Sequence, residues 1–201
     1  RFITPMASVA GAIAENLLDK ILSKFDLEKI YINNGGDAAI FLKRKQKLKF
    51  LVASKNSFLI NLEGDNSKYG IATSGWKGRS FSMGIADSVT TIAKSSAIAD
   101  AAATIIANDT NIKNHKNIKK IEANKIDEQS DLKNRLVTTS VGDLSLKDIQ
   151  NALKKGAFTA KELIEKKIIL TALLNIKENY VYVGKKFDIK ETKKKINFIK
   201  L

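Results

Sequence analysis

The sequence predicts an α+β domain in which a mixed, mostly antiparallel sheet is covered by Ala-rich helices. Strand and helix signals alternate without the regular βαβ repeat of a parallel sheet. Two long segments, Pro5–Lys24 and Ser96–Asn108, are rich in small residues and read as helices. Asn34-Gly35 lies between two short apolar runs, which is a hairpin signal and favours antiparallel pairing.

The elements follow in order along the chain. Thr4 suits an N-cap and Pro5 the first helical position, so a helix is predicted from Pro5 to about Lys24. Its small residues, among them Ala7, Ala10, Gly11 and Ala14, allow a sheet or a ligand to come close. Strands at Lys29–Asn33 and Ala38–Leu42 flank Asn34-Gly35-Gly36-Asp37, and Lys47–Ala53 and Ser57–Leu62 pair around Lys55-Asn56. Tyr69–Ala72 is a strand running into Thr73-Ser74-Gly75. A loop at Trp76–Ser80, a strand at Ser88–Ala93 and the helix Ser96–Asn108 come next. Asp109–Asp131 is polar and Lys-rich and reads as an excursion or linker. Beyond it come a strand at Arg135–Val141, a helix Ser145–Lys155 ending at Gly156, and a second helix Thr159–Lys167. Strand material at Ile168–Ile176 and Tyr180–Gly184 precedes a frayed Lys-rich C-terminus. The expected organisation is a core over 1–108, an excursion over 109–134, and an α+β segment over 135–201 that completes the same domain.

Composition narrows the chemistry. The 201 residues are 44% hydrophobic and 28% charged, enough for a real core. There is no cysteine and one histidine, His115, so thiolate nucleophiles, disulfides and His-rich zinc sites are excluded. A resident metal would be held by oxygen, which points to magnesium or calcium. No apolar run reaches the roughly 18 residues that a membrane span needs. The sequence starts at Arg1, so its true N-terminus is expected to be missing, and a cytoplasmic location is expected. The net charge of +14 either favours anionic partners or reflects lysines scattered among acids.

Three places carry groups that meet phosphate or metal. Gly35-Gly36 leaves backbone amides open to an anion, and Asp37 follows; a plain tight turn is the simpler alternative. Thr73-Ser74-Gly75, with Lys77 and Arg79 close behind, either cradles a phosphate or caps a strand end. Asp100 and Thr104, four residues apart, share one face of an otherwise apolar helix. A carboxylate and a hydroxyl there suit a hard cation. Alternatively, Asp100 answers the helix dipole and pairs with a lysine. Trp76 and Tyr69 either stack on a ligand ring or serve packing.

The order of these motifs resembles the ApbE superfamily, whose founding members are FAD:protein FMN transferases, and it looks closest to that superfamily's small cytoplasmic branch. The resemblance rests on Gly11-Ala12-Ile13-Ala14, Asn33-Asn34-Gly35-Gly36-Asp37, Ala72-Thr73-Ser74-Gly75, and Ala99-Asp100 with Thr104, and it spans about Met6 to Asn108. It implies an ApbE-like layered domain with a Mg2+ site formed by Asp100, Thr104 and the backbone carbonyl of Ala14. It also implies a site for FAD or another nucleotide lined by Asn34, Gly35, Gly36, Asp37, Thr73, Ser74 and Gly75. The chain departs from the transferases in two places. Their His-x-x-Asp-Pro-x-Thr-Gly segment is replaced by Arg79–Asp87, where Asp87 is the one candidate for a catalytic remnant. The lysine after their Gly-x-Ile-Ala motif is Glu15 here.

Two functions follow as expectations. The first is a metal- and nucleotide-binding protein capable of phosphoryl or flavin-phosphate transfer. By resemblance it has an accessory role, with a protein partner, in sulfur assimilation into homocysteine. The second is a non-catalytic basic module binding nucleic acid or an acidic protein through Lys113–Lys125. No aromatic-interleaved basic stripe supports nucleic acid.

Overall fold

A computed structural model describes residues 1–52, 58–185, 188–191 and 197–199. The Lys55-Asn56 turn and the frayed end expected around Lys193–Lys195 lie outside the described residues. Pro5–Ser8 forms a 3-10 turn that leads into helix α1, Val9–Leu22, so the predicted first helix has a tighter opening turn. Strands β1 (Lys29–Asn34) and β2 (Asp37–Leu42) are joined by a two-residue turn. Gly35 has φ 67° and Gly36 φ 118°, values that side chains resist and that suit a primed hairpin turn.

Next come β3 (Lys47–Val52), β4 (Phe58–Glu63), β5 (Ser67–Ser74) and β6 (Ser88–Ala93), followed by helix α2 (Ser96–Asp109). Strands β7 (Ile118–Glu122) and β8 (Leu136–Val141), helix α3 (Leu146–Glu165), and strands β9 (Thr171–Ile176), β10 (Asn179–Gly184), β11 (Asp188–Glu191) and β12 (Asn197–Phe198) complete the order. Among the described residues, seven strands form one sheet in the order β1-β2-β5-β6-β9-β10-β12. All of its pairings are antiparallel except β10 with β12.

This is the predicted α+β layering with a mostly antiparallel sheet. The alanines of α2 (Ala99, Ala102, Ala103 and Ala107) are buried against Ala72, Val89 and Ala93 of the sheet and Leu153 of α3. Side chains this small let helix and sheet backbones approach closely. α1 covers the β1–β2 edge through Ala14, Leu18 and Ala39. The opposite face of the sheet is covered by a smaller sheet, β11-β4-β3, with Ile60 and Leu62 packed among Ile40, Ile71 and Tyr180.

Three predicted elements are corrected. Gly156 does not end a helix, because α3 runs unbroken through it from the Ser145 N-cap, whose Oγ accepts from Asp148 N at 3.1 Å. A Cβ at Gly156 would lie 2.0 Å from Thr110 Oγ1 and 2.7 Å from Leu174 Cδ2, so the glycine serves packing. The polar stretch after Asp109 contains β7, paired with β8 through a bulge at Lys119/Lys120. Ile-Lys-Lys-Ile-Glu has no strand alternation, and its strand depends on the partner. The ninth strand begins at Thr171, three residues after the predicted Ile168.

Candidate functional site

A cleft of about 750 Å³ lies where the β1–β2 turn, the end of β5, α1 and α2 meet. Gly35, Gly36 and Asp37 form one rim, Thr73, Ser74 and Gly75 the next, and Asp100 and Thr104 the α2 wall. The pairing of β2 with β5 sets Asp37 beside Thr73, 36 positions further along the chain. Thr73 N donates to Asp37 Oδ1 at 3.3 Å, and the Thr73 and Thr90 hydroxyls are bonded at 2.8 Å.

Asp100 is partly buried, and its Oδ2 accepts from Gly11 N at 3.0 Å. That amide belongs to the first turn of α1, where helix geometry leaves N–H groups without intrahelical partners. Glu15 returns the favour to α2, accepting from Ala97 N at 3.1 Å and from Ser95 Oγ at 2.6 Å. The two helices therefore cap each other's opening turns through carboxylates, a favourable placement for negative charge. This settles how Asp100 meets a helix dipole: the dipole it answers is that of α1. It also gives Glu15 a structural role.

The cleft is electrostatically loaded. Burial pushes the Asp100 carboxyl up to about 6, the Gly11 amide opposes the shift, and the charge of Asp37 adds to it. Asp37 is also raised by burial, against the Thr73 amide and the nearby Arg79. Two carboxylates thus influence each other across a partly desolvated space. Among the described residues no three His, Cys, Asp or Glu side chains converge to hold a metal ion. Near the Gly35-Gly36 turn the oxygen side chains are the Asp37 and Asp100 carboxylates and the Thr104 hydroxyl, and Asp127 and Asp131 also line the cleft. This fits a hard cation such as magnesium, which keeps several waters and shares ligands with substrate phosphates.

Other predicted residues lie elsewhere. Ala14 is fully buried against Leu18 and Ala39 and does not line the cleft. Asn34 is not a lining residue either; its Nδ2 donates to Ala10 O at 3.1 Å and ties the hairpin to α1. Asp87 is not a lining residue but stands directly behind Gly75 and Lys77, which are. Its carboxylate accepts from Trp76 Nε1 at 3.0 Å and Lys177 N at 2.9 Å and pairs with Lys77 Nζ at 3.0 Å. Trp76 and Tyr69 are not lining residues: the indole N–H donates to Asp87, and Tyr69 is a core residue bonded to Asp65. Lys77 and Arg79 line the cleft with partners already in hand, Asp87 for Lys77 and the Gly35 carbonyl for Arg79.

The sequence reading missed Asn108, Phe81 and the loop Asp127–Leu132, which also line the cleft. Asn108 was within reach, since it continues the four-residue spacing of Asp100 and Thr104 along one helix face. The loop carried no local signal, because its place depends on the β7–β8 pairing.

An α+β layered domain with an oxygen-lined cleft between a Gly-Gly hairpin and two mutually capped helices defines an ApbE-like protein. The family described as AbpE bacteria matches residues 1–185, and the chain belongs to it. Similar proteins include the UPF0280 protein of Methanocaldococcus jannaschii, 45% identical over 114 residues, which are 53% of this chain and 44% of that one. The UPF0280 protein of Methanobrevibacter smithii is 42% identical over 113 residues, 53% of this chain and 46% of that one. The alignments thus span less than half the length of these relatives. Among solved structures, the apo form of the Pseudomonas stutzeri flavinyl transferase ApbE superposes with a TM-score of 0.48 and 14% identity, over 93% of this chain and 50% of that chain. Among the described residues no helix is long and apolar enough to cross a membrane.

Proposed function

We propose that the cleft binds the phosphates of a flavin or another nucleotide together with a magnesium ion. The observation that carries this reading is the meeting of Asp100 and Thr104, from one face of α2, with Asp37 and the Gly35-Gly36 turn in a single cleft. Asp100, Thr104 and Asp37 would hold the ion, and Ser74 and Gly75 at the end of β5 would face the phosphates, since the Gly36 amide, expected to be open, donates to Asn33 Oδ1 at 2.8 Å. When bound, the ion neutralises phosphate charge and favours departure of a phosphate leaving group. The chain's own groups supply the rest. Arg79 steadies the turn through the Gly35 carbonyl, and Thr73 N orients the Asp37 carboxylate.

The reaction class this suits is phosphoryl or flavin-phosphate transfer in the cytoplasm. Participation in homocysteine formation rests on family resemblance and would require a protein partner to carry the sulfur, because this chain has no cysteine. The basic-module reading is weaker. Lys120, at the centre of its expected footprint, is turned inward, with Nζ bonded to Met83 O and to Asn111 Oδ1.

A thermal-shift screen with FAD, FMN, ATP and ADP, with and without magnesium, tests the proposal. A bound ligand at about 100 times its Kd stabilises by about 2.7 kcal/mol. At least one nucleotide should raise the melting temperature in a magnesium-dependent way, and Asp100→Ala should abolish the magnesium dependence. If all four nucleotides leave the melting curve unmoved by magnesium, the reading is abandoned.

A further inference from the structure

α2 offers the cleft a third polar side chain. Asp100, Thr104 and Asn108 all line it, each four residues after the last. At about 1.5 Å of rise per residue, Asn108 stands roughly 12 Å beyond Asp100 along the helix. Along α2 the cleft therefore meets the Asp100 carboxylate and the Thr104 hydroxyl first and the Asn108 amide last.

The orientation of the Asn108 amide is fixed. Its Oδ1 accepts from Met83 N at 2.8 Å and from Ser82 Oγ at 3.3 Å. A backbone N–H can only donate, so the oxygen faces Met83 and the Nδ2 donor is the group left for the cleft. The lining of the same cleft includes Phe81, the chain neighbour of Ser82, and Gln129 and Asp131 of the 127–132 loop. That loop is closed by its own backbone bonds, Ser130 N to Asp127 O at 3.0 Å and Lys133 N to Ser130 O at 3.1 Å. A fixed donor, an aromatic side chain and polar acceptors on a braced loop match a planar heteroaromatic ring that carries both acceptors and donors on its edge.

We propose that Asn108 is a specificity-determining residue that donates its Nδ2–H to a carbonyl oxygen or ring nitrogen of the ligand's heteroaromatic ring. The ligand class is then a nucleotide whose ring reaches the α2 C-terminal end while its phosphates occupy the Asp100 end. This rests on the nucleotide reading of the cleft, and the test separates the two.

The experiment uses the full chain with magnesium and compares binding of ADP, FMN and FAD with that of inorganic pyrophosphate, which has no ring, by calorimetry. At least one nucleotide should bind 10-fold or more tighter than pyrophosphate. Asn108→Asp keeps the oxygen that meets Met83 N and replaces the donor with a second acceptor. It should cost that nucleotide at least 10-fold in affinity and change pyrophosphate binding less than 2-fold. If the wild-type protein binds pyrophosphate as tightly as every nucleotide, the ring subsite does not exist, and this conclusion needs no variant to fold. If nucleotides are preferred but Asn108→Asp leaves the preference intact, Asn108 is not the reader. Failure to bind either class removes the underlying cleft reading and the inference with it.

Discussion

Gly11→Ala is predicted to destabilise the protein, although by helix propensity alone it should do the reverse. Gly11 lies in the first turn of α1, and alanine in place of a helical glycine is ordinarily worth about 1 kcal/mol of stability. Here a Cβ would stand 2.3 Å from Ser96 O and 2.7 Å from Ser96 C, both backbone atoms at the start of α2. Restoring an ordinary contact of 3.4 Å requires the helices to part by about 1.1 Å, the difference of the two distances. The same movement lengthens the 3.0 Å bond from Gly11 N to Asp100 and the 3.1 Å bond from Ala97 N to Glu15. Overpacking costs about 1–3 kcal/mol, and a lost bond to a charged acceptor about 1.5–3 kcal/mol. After the propensity gain is allowed for, the net loss is about 1.5–5 kcal/mol. Urea unfolding followed by circular dichroism reads this directly: with a slope of about 1–3 kcal/mol/M, the midpoint should fall by about 0.5 M or more at unchanged slope. An unchanged or raised midpoint would mean that α1 and α2 are not in backbone contact, and the reciprocal capping of the cleft would go with it.

The remaining predictions concern the charges around the site. Asp100 has a folded-state pKa raised from 3.8 to about 6, so the folded protein holds a proton that the unfolded chain releases, and this contribution is fully present below about pH 4 and lost as pH rises through 6. Asp100→Asn, which keeps an acceptor for Gly11 N, should therefore raise the urea midpoint above wild type at pH 7.5 and leave it nearly unchanged at pH 4; an equal effect at both pH values would refute the burial argument. Asp87→Ala removes the acceptor shared by Trp76, Lys77 and Lys177 N, and a loss of about 2–4 kcal/mol is expected from the broken buried network. Trp76 is the sole tryptophan, so its emission should shift to the red in Asp87→Ala; an unmoved spectrum would show that the indole is anchored by something else. Gly156→Ala should cost about 1–3 kcal/mol in the same urea assay, since its Cβ meets Thr110 and Leu174, and a stabilised variant would favour a helix break at that position.

Much of the layering was legible because it is written in local patterns. Alanine runs mark helices meant to lie flat on a sheet, Gly35-Gly36 marks a turn with positive φ, and a four-residue spacing puts Asp100 and Thr104 on one face. These depend on residues close in sequence, so composition and period suffice to find them. Gly156 misled because an isolated glycine in a helical stretch reads as a stop, whereas the demand that placed it there comes from Thr110 and Leu174 in other elements. Strand β7 was hidden for a similar reason, since Ile-Lys-Lys-Ile-Glu becomes a strand through its pairing with β8.

The cleft divides along the same line. The residue types at its glycine-rich end, a Gly-Gly turn, a Thr-Ser-Gly strand end and an Asp/Thr helix face, are properties of the chain. Their convergence, the exclusion of Ala14 and Asn34, and the diversion of Asp87 to Trp76 and Lys177 are properties of strand pairing and helix contact. Neighbours along a chain constrain one another over a turn or two. A carboxylate that caps a helix 89 positions away is set by packing, and no period in the sequence encodes it.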